Sequence, residues 1–179
     1  MTKKRGAKIA IINYKTMTKI KKTKREKSFD IVGKNKVPWI YSDIVREHFF
    51  NPKNFMKPSE EKNFKYNAYG KAGSTVCGDL MKFWLWIDPE TKKIKKARWR
   101  TFGCGSAIAS TSMLSVMITE KGGMPLDKAR KIKPQDIMKR LGGLPIIKIH
   151  CSVLGDEALQ AAIKDYERQK NEKNKNRQK

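Results

Sequence analysis

Regular spacing of apolar residues predicts a small sheet in the first half of the chain. Phe83, Leu85 and Ile87 are each separated by one residue, which is the two-residue period of a strand. Turn-forming residues follow at 88–91, and the apolar stretch after them is rich in basic residues on its open face. The predicted strands are 66–73, the segment around 83–87, and 94–102. We expect a small antiparallel sheet of about three strands.

A helical spacing precedes this sheet. Ser42 is suited to cap a helix in which Val45 and His48 share one face. This helix is predicted to end at Asn51, because the residue before a proline is disfavoured in the α region. Residues 53–65 are charged and irregular, which predicts a loop.

The second half of the chain is predicted to be helical. Ala107, Thr111 and Leu114 lie on one face of a helix that ends at Gly122-Gly123. The remaining predicted helices are 126–131, 134–141 and a last one capped by Asp156. Strands followed by helices indicate an α+β domain with its helices packed on the sheet.

Charge divides the 179 residues into a core and two tails. The net charge is +24, and residues 1–40 contribute +11 from 13 Lys/Arg and 2 Asp/Glu. We predict a basic, flexible N-terminal arm at 1–36, a folded domain at 37–170 and a polar tail at 171–179. The arm is interpreted either as a contact for a polyanion such as nucleic acid or as a solvated tail.

Composition also bears on location. Three cysteines do not make a complete disulfide framework, and a reducing interior keeps thiols available for metal. No run approaches the roughly 20 apolar residues of a membrane span, so we expect no membrane contact. A cytoplasmic protein is the simplest interpretation. The alternative is a mitochondrion-type organelle with the arm as a transit peptide, although the arm is rich in Lys rather than in Arg and Ser.

The three cysteines carry the candidate chemistry. Cys77 stands in C-G-D, Cys104 in F-G-C-G-S-A and Cys151 in K-I-H-C-S. With Asp79 or His150, three thiols make a four-ligand set for a soft metal or an iron–sulfur cluster. All three cysteines fall at predicted ends of elements, where side chains from separate segments converge. The alternative is three ordinary buried cysteines, with Asp79 as a turn residue and His150 as a packed histidine.

The neighbours of each cysteine add detail. Gly78 permits a tight backbone after Cys77. Cys104 follows a strand and precedes a helix, where free N–H groups favour a thiolate. Cys151 is expected on the connection before the last helix.

From Tyr41 to about Lys170 the chain resembles the IscU/NifU-type iron–sulfur cluster assembly scaffold, in its stand-alone form. The resemblance rests on the order and spacing of four motifs: Glu47-His48-Phe49 with Asn51-Pro52-Lys53-Asn54, Val76-Cys77-Gly78-Asp79, Thr101-Phe102-Gly103-Cys104-Gly105-Ser106-Ala107-Ile108-Ala109-Ser110, and Lys148-Ile149-His150-Cys151-Ser152. It implies a SufE/NifU-like fold and a carrier rather than an enzyme.

The resemblance implies a role for each motif residue. Cys77, Cys104 and Cys151 correspond to the ligands of a [2Fe-2S] cluster, with Asp79 or His150 at the fourth position. Asp79 is linked to keeping the cluster labile. Iron is the cargo metal, and Zn²⁺ can occupy the same ligands. Lys148 corresponds to a lysine that meets the aspartate when metal is absent.

The implied partners are proteins. Sulfur arrives as a persulfide from an IscS/NifS-like cysteine desulfurase, with Cys151 as the acceptor candidate. The cluster leaves to recipient apo-proteins, a ferredoxin among them. An Hsp70-type chaperone recognises L-P-P-V-K in the family. Here that segment is Leu144, Pro145, Ile146, Ile147 and Lys148, and the missing proline leaves chaperone binding open.

Two other functions compete with the scaffold. Nucleic-acid binding by the arm is suggested by charge, but the arm lacks interleaved aromatic residues for stacking. A zinc hydrolase or deaminase needs H-x-E with C-x-x-C, and neither motif is in the sequence.

Overall fold

The strands form one antiparallel sheet in which neighbours along the chain are also neighbours in space. The structure is a computed structural model that describes residues 41–75, 78–144 and 149–177, without the side chains of 149–152 and 177. The strands, in spatial order, are β1 (Ala68–Gly73), β2 (Leu80–Ile87), β3 (Lys93–Phe102) and β4 (Met124–Pro125). The predicted α+β fold is confirmed. The predicted arm at 1–36 lies outside the described residues.

The pairing of β2 with β3 follows the predicted alternation. Phe83 is opposite Trp99 and Leu85 is opposite Ala97, and all four side chains are buried. The connecting turn starts at Asp88, whose carboxylate accepts the backbone N–H of Glu90 at 3.0 Å. Side-chain alternation thus fixes which face of the sheet meets the helices.

The fourth strand was not predicted. β4 has only two residues, which pair with Lys93 and Ile94 at the start of β3. Two residues are too few to show a period, so their pairing depends on where the chain returns after the preceding helix. The turn before β4 contains Gly123 at φ 97°, and a Cβ there would lie 2.4 Å from the Ile94 carbonyl oxygen.

Five helices complete the described part of the chain: α1 (Asp43–Phe50), α2 (Gly105–Thr119), α3 (Leu126–Ala129), α4 (Pro134–Arg140) and α5 (Ile149–Arg177). α1 begins as predicted, with the Ser42 hydroxyl accepting the Val45 N–H at 3.2 Å. It ends at Asn51, before Pro52. α4 has its proline at the first position.

The core lies between the sheet and α2 and α5. α2 is buried almost all round, with small residues such as Ala107 and Ser110 fully covered, rather than on one face as predicted. α5 approaches β1 so closely that a Cβ on Gly70 would lie 2.1 Å from the Ala158 carbonyl oxygen. Glycine is therefore required at this crossing, which fixes α5 along β1.

α5 differs from the predicted last helix at its start. It begins at Ile149 rather than near Asp156 and continues through Arg177. Cys151 therefore lies in the first turn of a helix and not on the preceding connection. Asp156 predicted a later start, because aspartate is favoured at the N-cap position, and glycine just before it is a poor helix former. In the structure Gly155 faces α2, where a Cβ would lie 3.4 Å from a Leu114 methyl carbon, so packing outweighs propensity.

Candidate metal centre

Two loops that carry candidate ligands meet at one end of the sheet. Leu80, the first residue of β2, pairs with Phe102, the last residue of β3. The Thr101 hydroxyl donates a 2.8 Å hydrogen bond to the Leu80 carbonyl and locks the two strand ends together. As a result Asp79, which precedes β2, and Cys104, which follows β3, are brought to the same place.

Asp79 is buried against the glycine that precedes Cys104. Its residue is only 7% exposed, and its Oδ2 atom receives no hydrogen bond among the described residues. A Cβ on Gly103 would lie 3.0 Å from the Asp79 Cγ and 3.2 Å from its Oδ1. The absent side chain of Gly103 thus makes room for the carboxylate. An unsatisfied buried oxygen is costly, so an oxygen-binding cation is the partner that this site suits.

The C-G-D loop is held in a fixed shape by its own backbone. Gly78 has φ 70°, as its predicted tight conformation requires. Its N–H donates to the Ser74 carbonyl at 2.9 Å, and the Ser74 N–H donates to the Asp79 carbonyl at 2.9 Å. These two bonds fix the backbone on either side of 76–77, where Cys77 lies outside the described residues.

Cys104 occupies the N-cap position of α2. Its backbone is extended (φ −71°, ψ 169°), and its carbonyl accepts the Ile108 N–H at 3.1 Å. The residue is half-buried and packs against the hydrophobic core. Beside it, a Cβ on Gly105 would lie 3.2 Å from the ring of Phe49. The two glycines therefore accommodate a carboxylate on one side of Cys104 and an aromatic ring on the other.

α1 packs against α2, both near its start and in its middle. His48 is buried and shares a 2.7 Å hydrogen bond through its Nδ1 with the Ser112 hydroxyl of α2. The same hydroxyl accepts the Lys53 N–H at 2.8 Å. Burial is the main cause that lowers the pKa of His48, and the charge of Lys53 adds to it. His48 is therefore a neutral, structural histidine at neutral pH.

The backbone of α5 leads back to the same end of the sheet. Ala158 lies at Gly70, and Asp165 accepts the Tyr69 N–H at 3.0 Å, so α5 runs antiparallel to β1. Cys151 precedes Ala158 by seven residues, about 10 Å of helix. Gly73 is about 10 Å beyond Gly70 along β1. The first turn of α5, with His150 and Cys151, thus lies on the Gly73 side of this crossing.

The remaining predicted residues are described only in part. Leu144 is half-buried and packs against the core. Cys77 and the segment 145–148 lie outside the described residues, and the side chains of His150 and Cys151 are not described. Among the side chains that are described, no group of three or more His, Cys, Asp or Glu is placed to hold a metal ion. Of the predicted ligands, Asp79 and Cys104 are therefore the two whose side chains the structure describes.

The packing of Ser112 against His48 was not predicted, and Phe49 was predicted only as part of a helix and a motif. A single aromatic residue or serine gives no periodic signal for such contacts. The run of small residues from Gly105 to Ser115 was the available signal. Such a run in a helix indicates close packing on more than one side.

With this geometry in place, the chain can be compared with known proteins. The model of the NifU-like N terminal domain matches residues 40–173. The chain belongs to this family.

Several curated relatives are similar over the same region. A "Nitrogen fixation protein NifU" of Azotobacter chroococcum is 49% identical over 72% of this chain and 39% of its own length. An "Iron-sulfur cluster assembly scaffold protein IscU" of Aquifex aeolicus is 44% identical over 70% of this chain and 75% of its own. The yeast "Iron sulfur cluster assembly protein 2, mitochondrial" is 39% identical over 74% and 81%. The chain thus spans about two fifths of the length of the NifU relatives it matches.

A solved structure supports the fold. The N-terminal part of a NifU-like protein from Brucella abortus matches with a TM-score of 0.52 at 17% identity, over 72% of this chain and 95% of that one. No helix within the described residues is long and apolar enough to cross a membrane.

Proposed function

We propose that this protein is a scaffold on which an iron–sulfur cluster is assembled and from which it is passed to recipient proteins. The observation that carries the proposal is the Asp79 carboxylate, buried with one oxygen unsatisfied against Gly103, directly beside Cys104. The carboxylate supplies an oxygen donor next to the residue that precedes Cys104 in the chain. The relatives named as NifU and IscU scaffold proteins support the same function.

The proposed ligand set consists of three thiolates and one weaker donor. Cys77, Cys104 and Cys151 bind the iron of a [2Fe-2S] cluster, and Asp79 or His150 takes the fourth position. Thiolates suit iron and zinc, so Zn²⁺ can occupy the same ligands. The cluster is cargo, which the protein holds and then releases.

The chemistry of the fourth ligand suits a carrier. A carboxylate oxygen is a harder donor than a thiolate and binds iron of a cluster less firmly. Release therefore starts most easily at the Asp79 corner. Lys148 is the candidate partner for the carboxylate when the metal has gone.

Sulfur enters by persulfide transfer. The thiolate of Cys151 attacks the outer sulfur of a persulfide on a cysteine desulfurase, the S–S bond breaks, and the desulfurase cysteine leaves as a thiolate. Reduction of each transferred sulfur to sulfide takes two electrons from an external reductant. Recipient apo-proteins, a ferredoxin among them, then take the cluster.

The segment Leu144–Lys148 is the proposed contact for an Hsp70-type chaperone. The cytoplasm or a mitochondrion-type organelle is the proposed location.

Anaerobic reconstitution with iron, cysteine and a cysteine desulfurase tests the proposal. We expect the wild-type chain to gain the visible absorption of a [2Fe-2S] cluster and Cys104→Ser to lose it. Cys77→Ser and Cys151→Ser should behave in the same way. Asp88→Ala, at the far end of β2, is the matched control and should keep the spectrum. If each of the three serine variants retains the cluster, the proposed ligand set is wrong.

A transfer assay tests the role of Asp79. With Asp79→Ala we expect slower transfer of a reconstituted cluster to an apo-ferredoxin, because His150 then takes the fourth position and an imidazole suits iron better than a carboxylate does. Unchanged or faster transfer would refute that role while leaving the scaffold function intact.

A further inference from the structure

The sheet face that points away from α2 and α5 carries a mixture of aromatic and basic side chains, and we call it the open face. Phe83 and Leu85 are directed to the core, so Lys82, Trp84 and Trp86 are directed to the opposite side. Trp84 is covered there, at 5% exposure, whereas Lys82 and Trp86 are half-buried. The residues of the open face are Tyr69, Lys71, Lys82, Trp84, Trp86, Lys96, Arg98 and Arg100.

Strand register arranges these residues in rows across the sheet. Lys71, Lys82 and Arg100 are cross-strand neighbours and make a basic row. Trp86 is opposite Lys96 in another row. Between them, the rings of Tyr69 and Trp84 are 5.6 Å apart. Aromatic groups thus alternate with positive charge over the width of three strands.

The acidic residues near this face are already paired with its arginines. Glu61 accepts a 2.7 Å hydrogen bond from Arg100, and Glu60 lies 3.8 Å from Arg98. Lys82 and Lys96 form no ion pair with any described residue. The lysines therefore leave the face positively charged.

Two clefts share Phe64 and Lys96. The first lies on the open face, has a volume of about 410 Å³ and is lined by Asn63, Phe64, Lys65, Trp86 and Lys96. The second, of about 440 Å³, extends past β3 to α2 and is lined by Asn54, Phe64, Lys95, Lys96, Ala97, Arg98 and Thr119. No acidic residue in the described part of the chain lines either cleft. Arg98 lies 5.4 Å from the centre of the Phe64 ring, which places a guanidinium against the wall between them.

We propose that the open face binds single-stranded nucleic acid, with a base against Phe64 and Trp86 and phosphates on Lys65, Lys82 and Lys96. Each cleft is within the range of about 300–1,000 Å³ found for ligand sites. Aromatic platforms in a positive groove bind unstacked bases with little sequence preference, because every base has a π-face. A duplex hides those faces. This site uses none of the cluster ligands and is independent of the scaffold function.

Charge argues against two other occupants of the open face. Residues 1–40 carry a net charge of +11, so their sequence offers this face no complementary charge. A second copy of a chain with net charge +24 is repelled. A nucleic-acid strand supplies the negative charge that the face lacks. Its flat bases can stack on the aromatic rings that the face carries.

Fluorescence anisotropy with the full chain tests the proposal. The probe is a labelled oligothymidylate of about 12 nucleotides, within the usual site sizes of about 4–16. We expect Trp86→Ala to weaken binding about 5- to 100-fold, the effect of losing one stacking platform. Trp86→Phe should restore most of the affinity. Lys96→Ala should weaken binding and reduce the slope of log affinity against log salt by about one.

The control is Lys128→Ala, an exposed lysine on α3 that removes the same charge from a different surface. It should change binding much less than Lys96→Ala.

Three results would overturn the proposal: equal losses in the two lysine variants, equal binding of duplex and single strand, or equal affinity for AMP and the oligonucleotide. Competition by polyglutamate at equal charge would instead assign the face to an acidic protein. Because Lys96 is exposed, Lys96→Ala remains informative if Trp86→Ala fails to fold.

Discussion

Strand β2 is flanked by two aspartates, Asp79 before its first residue and Asp88 after its last. Asp88 is partly exposed and accepts hydrogen bonds from the backbone of Glu90 and from the hydroxyl of Thr91, at 3.0 and 2.8 Å. Asp79 is 7% exposed, and its Oδ2 has no hydrogen bond among the described residues. One carboxylate closes a turn, whereas the other is buried without the partners that burial calls for. The difference indicates that the Asp79 end of the sheet is built to meet a ligand.

The prediction with the largest expected effect compares two alanine variants. One should raise the free energy of unfolding and the other should lower it. In a Lys148→Ala background, which removes the proposed partner of the metal-free carboxylate, Asp79→Ala should raise the stability of the metal-free protein by about 1–3 kcal/mol, because it removes an unsatisfied buried group. Asp88→Ala should lower the stability, because the turn loses its acceptor. Thermal unfolding in the presence of a chelator measures both.

Zinc binding distinguishes the same two aspartate variants further. The gain in Tm on adding Zn²⁺ should shrink in Asp79→Ala and stay unchanged in Asp88→Ala. A fall in the chelated stability of Asp79→Ala in the Lys148→Ala background would contradict the prediction, since it would mean that the carboxylate has a partner other than Lys148.

A second test compares two glycines near Asp79. A Cβ on Gly103 would lie 3.0 Å from the Asp79 Cγ, whereas one on Gly73 would meet only ordinary contacts at 3.5 Å. Gly103→Ala should therefore displace the carboxylate and cost about 1–3 kcal/mol, the usual range for overpacking. Zinc binding should weaken with it, as isothermal titration calorimetry can measure.

The matched control for that variant is Gly73→Ala. It should be neutral or stabilising by up to about 1 kcal/mol, because neither position needs a positive φ. Equal zinc affinity in the two variants would show that the space at Gly103 does not position Asp79.

The smallest expected effect concerns pH. The pKa of His48 is lowered, mainly by burial, from an unfolded value of 6.5. Its contribution to stability is present above pH 6.5 and is lost as pH falls through the folded value. The pKa of Asp88 is lowered, mainly by the Thr91 hydroxyl, from 3.8. Its contribution is present above pH 3.8 and is lost below that value.

These two shifts predict separate acid steps in a plot of Tm against pH. The step below pH 6.5 should disappear in His48→Asn, and the step below pH 3.8 in Asp88→Asn. On acidification, the packing of α1 on α2 through His48 should therefore lose stability at a higher pH than the Asp88 turn at the end of β2. Loss of both steps in one variant would show that the two ends are not independent.

The strands and most helices could be predicted because their signals are local. Val45, Phe83 and Leu85 are buried with the period that the sequence shows, and Ser42 caps its helix as its side chain predicts. β4 and the start of α5 could not be predicted. Their limits depend on pairing with Ile94 and on packing of Gly155 against α2, which involve residues far away in the sequence.

The sequence by itself determined the types of donor, through Cys77, Cys104, Cys151, Asp79 and His150, and it determined their order along the chain. Only the tertiary structure decided that Asp79 is buried against Gly103 with an oxygen unsatisfied. It also decided that the alternating residues of β2 and β3 join into an aromatic and basic face. The physical reason is that donor chemistry belongs to a side chain, whereas burial and proximity depend on strand register and close packing between distant segments.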